Sequence, residues 1–345
     1  MVPLVRRAVP AGATMRMEFI STGMYVPSRV VTNNDLAAIM ETSDEWIQQR
    51  TGIRERRWVE KPGIGSAEIA EPAARQALEN ASLKPEDIDA IIFATLSPDH
   101  YFPGSACFLA ARLGLKDTPA IDIRNQCSGF LYSLQVADGW IRSGIYKRIL
   151  LVGAEVHSSG LDKTTRGRDV ACIFGDGAAA VVLGPNADES AGVRSIKLGA
   201  DGRFAGDLWI EGLGSAMPAI ADEPQIREGK HFPTMEGSKV FKHAITKMPA
   251  VTRTVLEAEG LTPQDLRLLV PHQANLRIAE AVQKSLGLRD DQVFNNIQRY
   301  GNTTAASIPL ALHEALAEGR LARGEWLAFA AFGAGFTWGA ALVKW

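Results

Sequence analysis

Three residues of this 345-residue chain have types that could make or break a bond at a shared site: Cys127, His272 and Asn302. Cys127 lies in IDIRNQCSGFLYSLQVADGWIRSG, residues 121–144. A short β-rich run, Ile121 to Ile123, ends in polar residues, and a segment of helical periodicity follows the cysteine. With a helix starting at about residue 127, its free N–H groups and positive dipole end point at the sulfur and favour thiolate, the nucleophilic form. Ser128 and Gly129 leave room for a substrate. The competing reading is packing, since free cysteine is among the most buried residue types. His272 lies in LLVPHQANLRIAEAV, where an apolar strand ends at Pro271 and a helix begins near Asn275. That is the carboxyl end of a strand, where α/β sheets place ligands. Asn302 lies in NNIQRYGNTTAASIPLAL, between Gly301 and Thr303-Thr304, and taken alone it reads as a turn or helix-cap residue. Together the three fit two chemistries. One is a hydrolase triad with histidine as base and asparagine as orienter. The other is a condensing site, where histidine and asparagine donate hydrogen bonds to a thioester carbonyl while cysteine holds an acyl group. The residue types leave both open.

Neither Cys107 nor Cys172 has this setting; each sits in an apolar helix or strand pattern that predicts core packing. The other histidines, His100, His157, His231, His243 and His313, lack the strand-end context of His272.

The elements that must position these residues read as α/β. IDAIIFATL (88–96), RILLVGAEV (148–156) and GAAAVVLG (177–184) are apolar nearly throughout, as strands covered on both faces require. Helical patterns alternate with them, such as 66–81 and 104–114. The chain also repeats itself. Residues 78–92, LENASLKPEDIDAII, align without gaps with 256–270, LEAEGLTPQDLRLLV, and FGDGAAAVVLG (174–184) is echoed by FGAGFTWGAALV (332–343) in the same order. Two related βα halves follow: 17–190 with the cysteine, and 191–345 with the histidine and asparagine. Residues 1–16, rich in Arg and broken by Pro and Gly, read as a disordered tail or an over-extended start, with Met15 or Met17 as initiator.

Composition excludes several classes. Apolar residues at 46% and charged residues at 22% are those of an ordinary globular protein. A net charge of −2 gives no bulk attraction to nucleic acid or an acidic membrane. Three cysteines in so long a chain argue against a disulfide framework and for a reducing cytoplasm. No Cys/His cluster has metal-ligand spacing, and no apolar run reaches membrane-spanning length.

Six motifs occur in order: TSDEWIQQRTGIRERR, QCSGF, IFGDGAAA, VPHQANLRI, RYGNTTAASIPLAL and FGAGFTWGAALV. Across residues 17 to the C-terminus the chain resembles the β-ketoacyl-acyl-carrier-protein synthase III family. The resemblance implies a thiolase-like fold with a five-layered α-β-α-β-α core and a homodimer. It implies a decarboxylating condensation of an acyl-CoA starter with malonyl-acyl-carrier-protein, through an acyl-cysteine and with no permanently bound cofactor. It makes Cys127 the acyl carrier and His272 and Asn302 the oxyanion hole of the enolate. The backbone N–H groups of Cys127 and Ala334 form a second hole at the acyl-cysteine, and Phe332 lines the decarboxylation site. Trp46 and Arg166 match the pair that sandwiches the adenine of CoA; Arg50, Gly167, Gly237 and Asn275 match other tunnel positions. Lys242, Arg277 and Lys284 match the patch that docks the carrier protein, while Ser285 stands where some relatives have another lysine. Phe102 matches the residue that closes the acyl pocket of the partner subunit. Gln126 and the LSPDH of 96–100 depart from the housekeeping pattern and resemble the branch that makes alkylquinolones from malonyl-CoA. A specialised ketosynthase is therefore the alternative, and an inactive thiolase-fold binding subunit a further one.

Overall fold

The computed structural model describes residues 16–186, 188–217 and 222–345; residues 1–15 of the expected tail lie outside the described residues. In chain order the first half holds β1 (Arg16–Tyr25), β2 (Val30–Thr32), α1 (Asn33–Ala37), α2 (Asp44–Thr51), β3 (Glu55–Arg57) and α3 (Ser66–Asn80). It continues with β4 (Ala90–Ala94), α4 (Ser105–Arg112), β5 (Ala120–Ile123), α5 (Gly129–Arg142), β6 (Ile149–Glu155), α6 (Arg168–Ala171) and β7 (Gly177–Asn186). The second half holds β8 (Gly192–Ala200), β9 (Leu208–Ile210), α7 (Glu223–Glu228), β10 (Pro233–Met235) and α8 (Gly237–Glu257). After it come β11 (Leu268–Pro271), α9 (Leu276–Leu286), α10 (Ile297–Tyr300), α11 (Ser307–Ala317), β12 (Trp326–Gly333) and β13 (Thr337–Lys344). Arg16, assigned above to the tail, is instead the first residue of β1 and pairs with Asn186.

The repeat read from sequence becomes a repeated topology. One sheet runs β1-β7-β6-β4-β5 and the other β8-β13-β12-β11. In each, the first two pairings are antiparallel and the next is parallel. The second sheet is one strand shorter, and where its fifth strand would lie only a parallel bridge between Leu269 and Val293 remains. The fold is thus thiolase-like. Helices α3 and α4 cover the outer face of the first sheet, α8 and α9 that of the second, and α5 and α11 are packed between the sheets. Strands sandwiched in this way must be apolar on both faces. Every residue of β4 and β6 is buried. The central layer is filled by Phe130, Leu131 and Leu134 of α5 and by Ile308 and Leu312 of α11. Burying each such side chain stabilises by about 1.5–3 kcal/mol, so both sheets hold the two central helices, and their N-terminal turns, firmly. No helix among the described residues is long and apolar enough to cross a membrane.

Candidate active site

Cys127 sits in a 3-10 turn, Gln126–Ser128, between β5 and α5. The α-helix itself begins at Gly129, later than the sequence pattern places it. Gln126 has φ +44°, a left-handed backbone that few side chains adopt without cost. This residue bends the chain from strand to helix and presents the cysteine. Ser128 Oγ lies 2.7 Å from Thr337 Oγ1, which ties the turn to the β12–β13 hairpin. At the tip of that hairpin Gly333 passes so close that a Cβ there would lie 2.9 Å from Cys127 Sγ. Gly333→Ala is therefore expected to slow acylation at least ~10-fold and to lower stability by about 1–3 kcal/mol, read by intact-protein mass and thermal melting.

The backbone N–H groups of Cys127 and Ala334 lie close enough to the sulfur to favour its thiolate form. They do not produce a resting thiolate. Burial, and then the negative charge of Glu155, push the thiol up to about 12. The expectation of a thiolate formed by the helix terminus is corrected here: desolvation of a buried sulfur outweighs the dipole.

His272 follows β11, and its backbone N–H donates to Ala330 of β12 at 2.8 Å. The ring is 2% exposed, and burial lowers its pKa to about 3, so it is neutral at working pH. Its Nδ1 lies 2.7 Å from Ser307 Oγ, the first residue of α11. Ser307 Oγ accepts from the Gln273 N–H at 3.3 Å, so its own O–H is free to donate to Nδ1. In that tautomer the ring proton sits on Nε2, which is buried without a hydrogen-bond partner among the described residues. An orphaned buried donor of this kind calls for a ligand.

Asn302 is likewise buried. Its backbone is fixed by N–H donation to Ile173 O at 2.9 Å and by acceptance from the Gly175 N–H at 3.1 Å. Its Oδ1 accepts from the Thr304 N–H at 2.8 Å. The turn reading was thus part of the answer: with the oxygen occupied, the amide NH2 is the group left to donate. Beyond it, the 3-10 turn Thr304–Ala306 packs against the Cys127 turn, and a Cβ on Gly129 would lie 3.4 Å from Ala305 Cβ. Cysteine, histidine and asparagine therefore sit on adjoining turns at one end of the two central helices.

The remaining candidates separate into those the structure groups and those it does not. Phe332 is 3% exposed, with its ring 4.9 Å from that of Phe336. Asn275 caps α9 and donates to Arg50 O at 2.9 Å, so two of the tunnel positions adjoin. Gly167 approaches Asp162 so closely that a Cβ would lie 2.5 Å from the Asp162 Cβ. Gly237 is exposed and opens α8. The guanidinium groups over the Trp46 ring are those of Arg50, at 4.2 Å, and Arg168, at 5.1 Å. Arg166 forms an ion pair with Asp162 at 2.6 Å and lies 5.8 Å from the centre of the Phe232 ring. Lys242, Arg277 and Lys284 are exposed on the packed outer helices α8 and α9. Phe102 is 80% exposed, next to exposed Tyr101. Cys107, expected in the core, is exposed on α4, whereas Cys172 is buried.

Sequence reading missed Glu155 and His157, at the end of β6. Glu155 is fully buried and accepts from the Leu96 and Ser97 N–H groups at 3.1 Å and from Ser97 Oγ at 2.5 Å. Burial nonetheless raises its pKa to about 7. His157, set aside above for want of context, lies with Nε2 2.6 Å from Thr304 Oγ1.

A duplicated five-layered core whose central helices begin beside a cysteine, a histidine and an asparagine defines the class: a thiolase-fold acyltransferase of the condensing type. Comparison with known proteins narrows it. Residues 121–202 match the family model 3-oxoacyl-[acyl-carrier-protein] synthase III, and residues 256–345 match the model of its C-terminal part. The chain is 45% identical over 323 residues to the β-ketoacyl-[acyl-carrier-protein] synthase III of Roseiflexus sp. (strain RS-1), covering 94% of this chain and 96% of that one. The crystal structure of 3-oxoacyl-[acyl-carrier-protein] synthase III from Aquifex aeolicus VF5 is 41% identical, with a TM-score of 0.86 over 95% of this chain and 100% of that one. The priming β-ketosynthase of the R1128 polyketide biosynthetic pathway is 29% identical, with a TM-score of 0.86 over 97% of this chain and 98% of that one. The chain belongs to the β-ketoacyl-acyl-carrier-protein synthase III family.

Proposed function

We propose that the enzyme condenses an acyl-CoA starter with malonyl-acyl-carrier-protein, releasing CO2, to initiate an acyl chain. The observation that carries this reading is His272 Nε2, buried with no hydrogen-bond partner among the described residues, together with an Asn302 side chain whose Oδ1 is taken by the Thr304 N–H and whose NH2 is left to donate. A hydrolase triad would instead pair the histidine with the asparagine as orienter, and His272 Nδ1 is taken by Ser307.

In the first half-reaction the Cys127 sulfur bonds to the acyl carbonyl. The tetrahedral oxyanion is held by the Cys127 and Ala334 N–H groups. Its collapse breaks the bond to CoA, whose sulfur leaves with the thiol proton. In the second, a malonyl thioester loses CO2 beside Phe332, where apolar surface disfavours its carboxylate. The electron pair of the broken C–C bond becomes an enolate, whose oxygen is held by His272 and Asn302. The enolate carbon attacks the acyl-cysteine carbonyl, the C–S bond breaks, and the Cys127 sulfur takes up one proton. No base is required, because decarboxylation itself makes the carbanion. Both substrates bring their own activation as thioesters, so the chemistry calls for no resident cofactor.

Trp46 and Arg166 flank the adenine in this reading, and Arg50, Gly167, Gly237 and Asn275 continue the CoA path. The exposed Phe102 seats in the acyl pocket of a second copy, making the enzyme a homodimer. The chain divides near residue 190 into its two halves. Lys242, Arg277 and Lys284 receive the acidic carrier protein. Lys242→Glu and Lys284→Glu are expected to raise KM for malonyl carrier protein about 5- to 30-fold and to weaken its salt dependence, with malonyl-CoA decarboxylation little changed. Steady-state rates with the two extenders test this. A preference for malonyl-CoA over the carrier thioester would instead place the enzyme with the specialised ketosynthases.

A further inference from the structure

His157 is buried like His272, yet the mechanism above gives it no role. It follows β6, and its Nε2 is 2.6 Å from Thr304 Oγ1. Thr304 has φ +50°, a left-handed conformation that is unfavourable for a β-branched side chain. Strain of this kind persists only where the surroundings over-determine it. Here two bonds do so: the Thr304 N–H donates to Asn302 Oδ1 at 2.8 Å, and the hydroxyl meets His157. The His157 ring also lies 4.7 Å from that of Phe174, and the Phe174 backbone is bridged to Asn302. Histidine thus grips the Asn302 loop at two points. β6 presses the same turn, since a Cβ on Gly153 would lie 2.5 Å from Ala305 O.

We propose that His157 is a positioning residue for the Asn302 amide, acting through the strained Thr304. An asparagine amide is nearly symmetric in shape, and only its hydrogen bonds decide which end faces the substrate. With Thr304 held in place, its N–H claims Oδ1, and the NH2 faces the enolate. Without His157, Thr304 relaxes toward right-handed backbone, the N–H leaves Oδ1, and the amide turns. A carbonyl oxygen would then face the developing enolate and repel it. The ring acts as a neutral group, and burial lowers its pKa to about 3.

The inference rests on Asn302 being an enolate donor, and the test separates the two. His157→Leu, Thr304→Val and the double variant are compared with wild type for malonyl-thioester decarboxylation, for Cys127 acylation by intact mass, and for thermal melting. The expected result is a fall of about 10- to 100-fold in decarboxylation kcat, with acylation within about threefold. The double variant should be no worse than the worse single, and Thr304→Ser should restore activity to within about threefold. Thr304→Val reads the same contact from the other side if His157→Leu does not fold. Unchanged decarboxylation in either single variant, an equal loss of acylation, or additive losses would overturn the inference. Asn302→Ala is run beside them: if it keeps decarboxylation, the donor reading itself fails. If it loses decarboxylation while the other two keep it, only the role of His157 fails.

Discussion

Cys127→Ala ends acyl transfer from every acyl-CoA while leaving malonyl decarboxylation in place. The first half of this result follows from the sulfur being the only group that can carry the acyl chain between the two N–H donors of Cys127 and Ala334. The second follows because the proposed mechanism holds the enolate at other residues, His272 and Asn302. The wild-type thiol should also show an unusual pH dependence. With its pKa pushed up to about 12, first by burial and then by Glu155, it is protonated across the whole working range. Its reaction with a small alkylating reagent should rise about tenfold per pH unit between roughly 7 and 10. An ordinary cysteine would level off near 8.5. Acylation by acyl-CoA escapes this limit, because the departing CoA sulfur removes the proton within the same step. Stopped-flow alkylation and acylation rates over that range check both statements.

His272→Ala and Asn302→Ala reverse the pattern. Each should lower malonyl decarboxylation about 10²- to 10³-fold, equivalent to about 2.7–4 kcal/mol, as loss of one preorganised oxyanion donor does. Cys127 acylation should remain. Because burial lowers the His272 pKa to about 3, the ring carries one proton at any pH well above that value. Decarboxylation by wild type should therefore show no acid limb from histidine between about pH 5 and 8, where an unperturbed imidazole would titrate near 6.5. A ring acting as general base would show one. Assays of CO2 release with a non-acylated enzyme read the step in isolation. Loss of acylation in His272→Ala would contradict the division of labour.

How far the sequence anticipates all this depends on how local each feature is. The strand-to-helix junction at Cys127, the strand end at His272 and the cap at Asn275 are set by neighbouring residues; the last two are found where the pattern puts them, and at the first a 3-10 turn delays the helix to Gly129. The duplicated sheets are legible because each half repeats a helix end, a Pro turn and a strand, 78–92 and 256–270. Long-range effects were not legible. The sulfur sits in a turn closed over by Gly333, some two hundred residues away in sequence, and that enclosure removes the thiolate the helix terminus would favour. Glu155 reads as the polar end of an apolar strand, and only the fold brings the Thr95–Ser97 donors to it. Likewise, the sequence alone does not show that Asp162 pairs with Arg166 or that Arg168 lies over the Trp46 indole. Gln126, read above as a departure from the housekeeping pattern, also has a backbone role: its left-handed φ turns the chain at Cys127.

The most direct test of the central claim is a pulse–chase read by intact-protein mass. Wild-type enzyme is incubated with a panel of short, branched and medium acyl-CoAs, freed of excess, and chased with malonyl carrier protein. The predicted result is an acyl adduct that maps to Cys127, is absent in Cys127→Ala, and disappears on the chase as a β-ketoacyl carrier product of matching mass forms. An adduct that the chase releases as free acid, or no adduct from any acyl-CoA, would contradict a condensing enzyme that works through an acyl-cysteine.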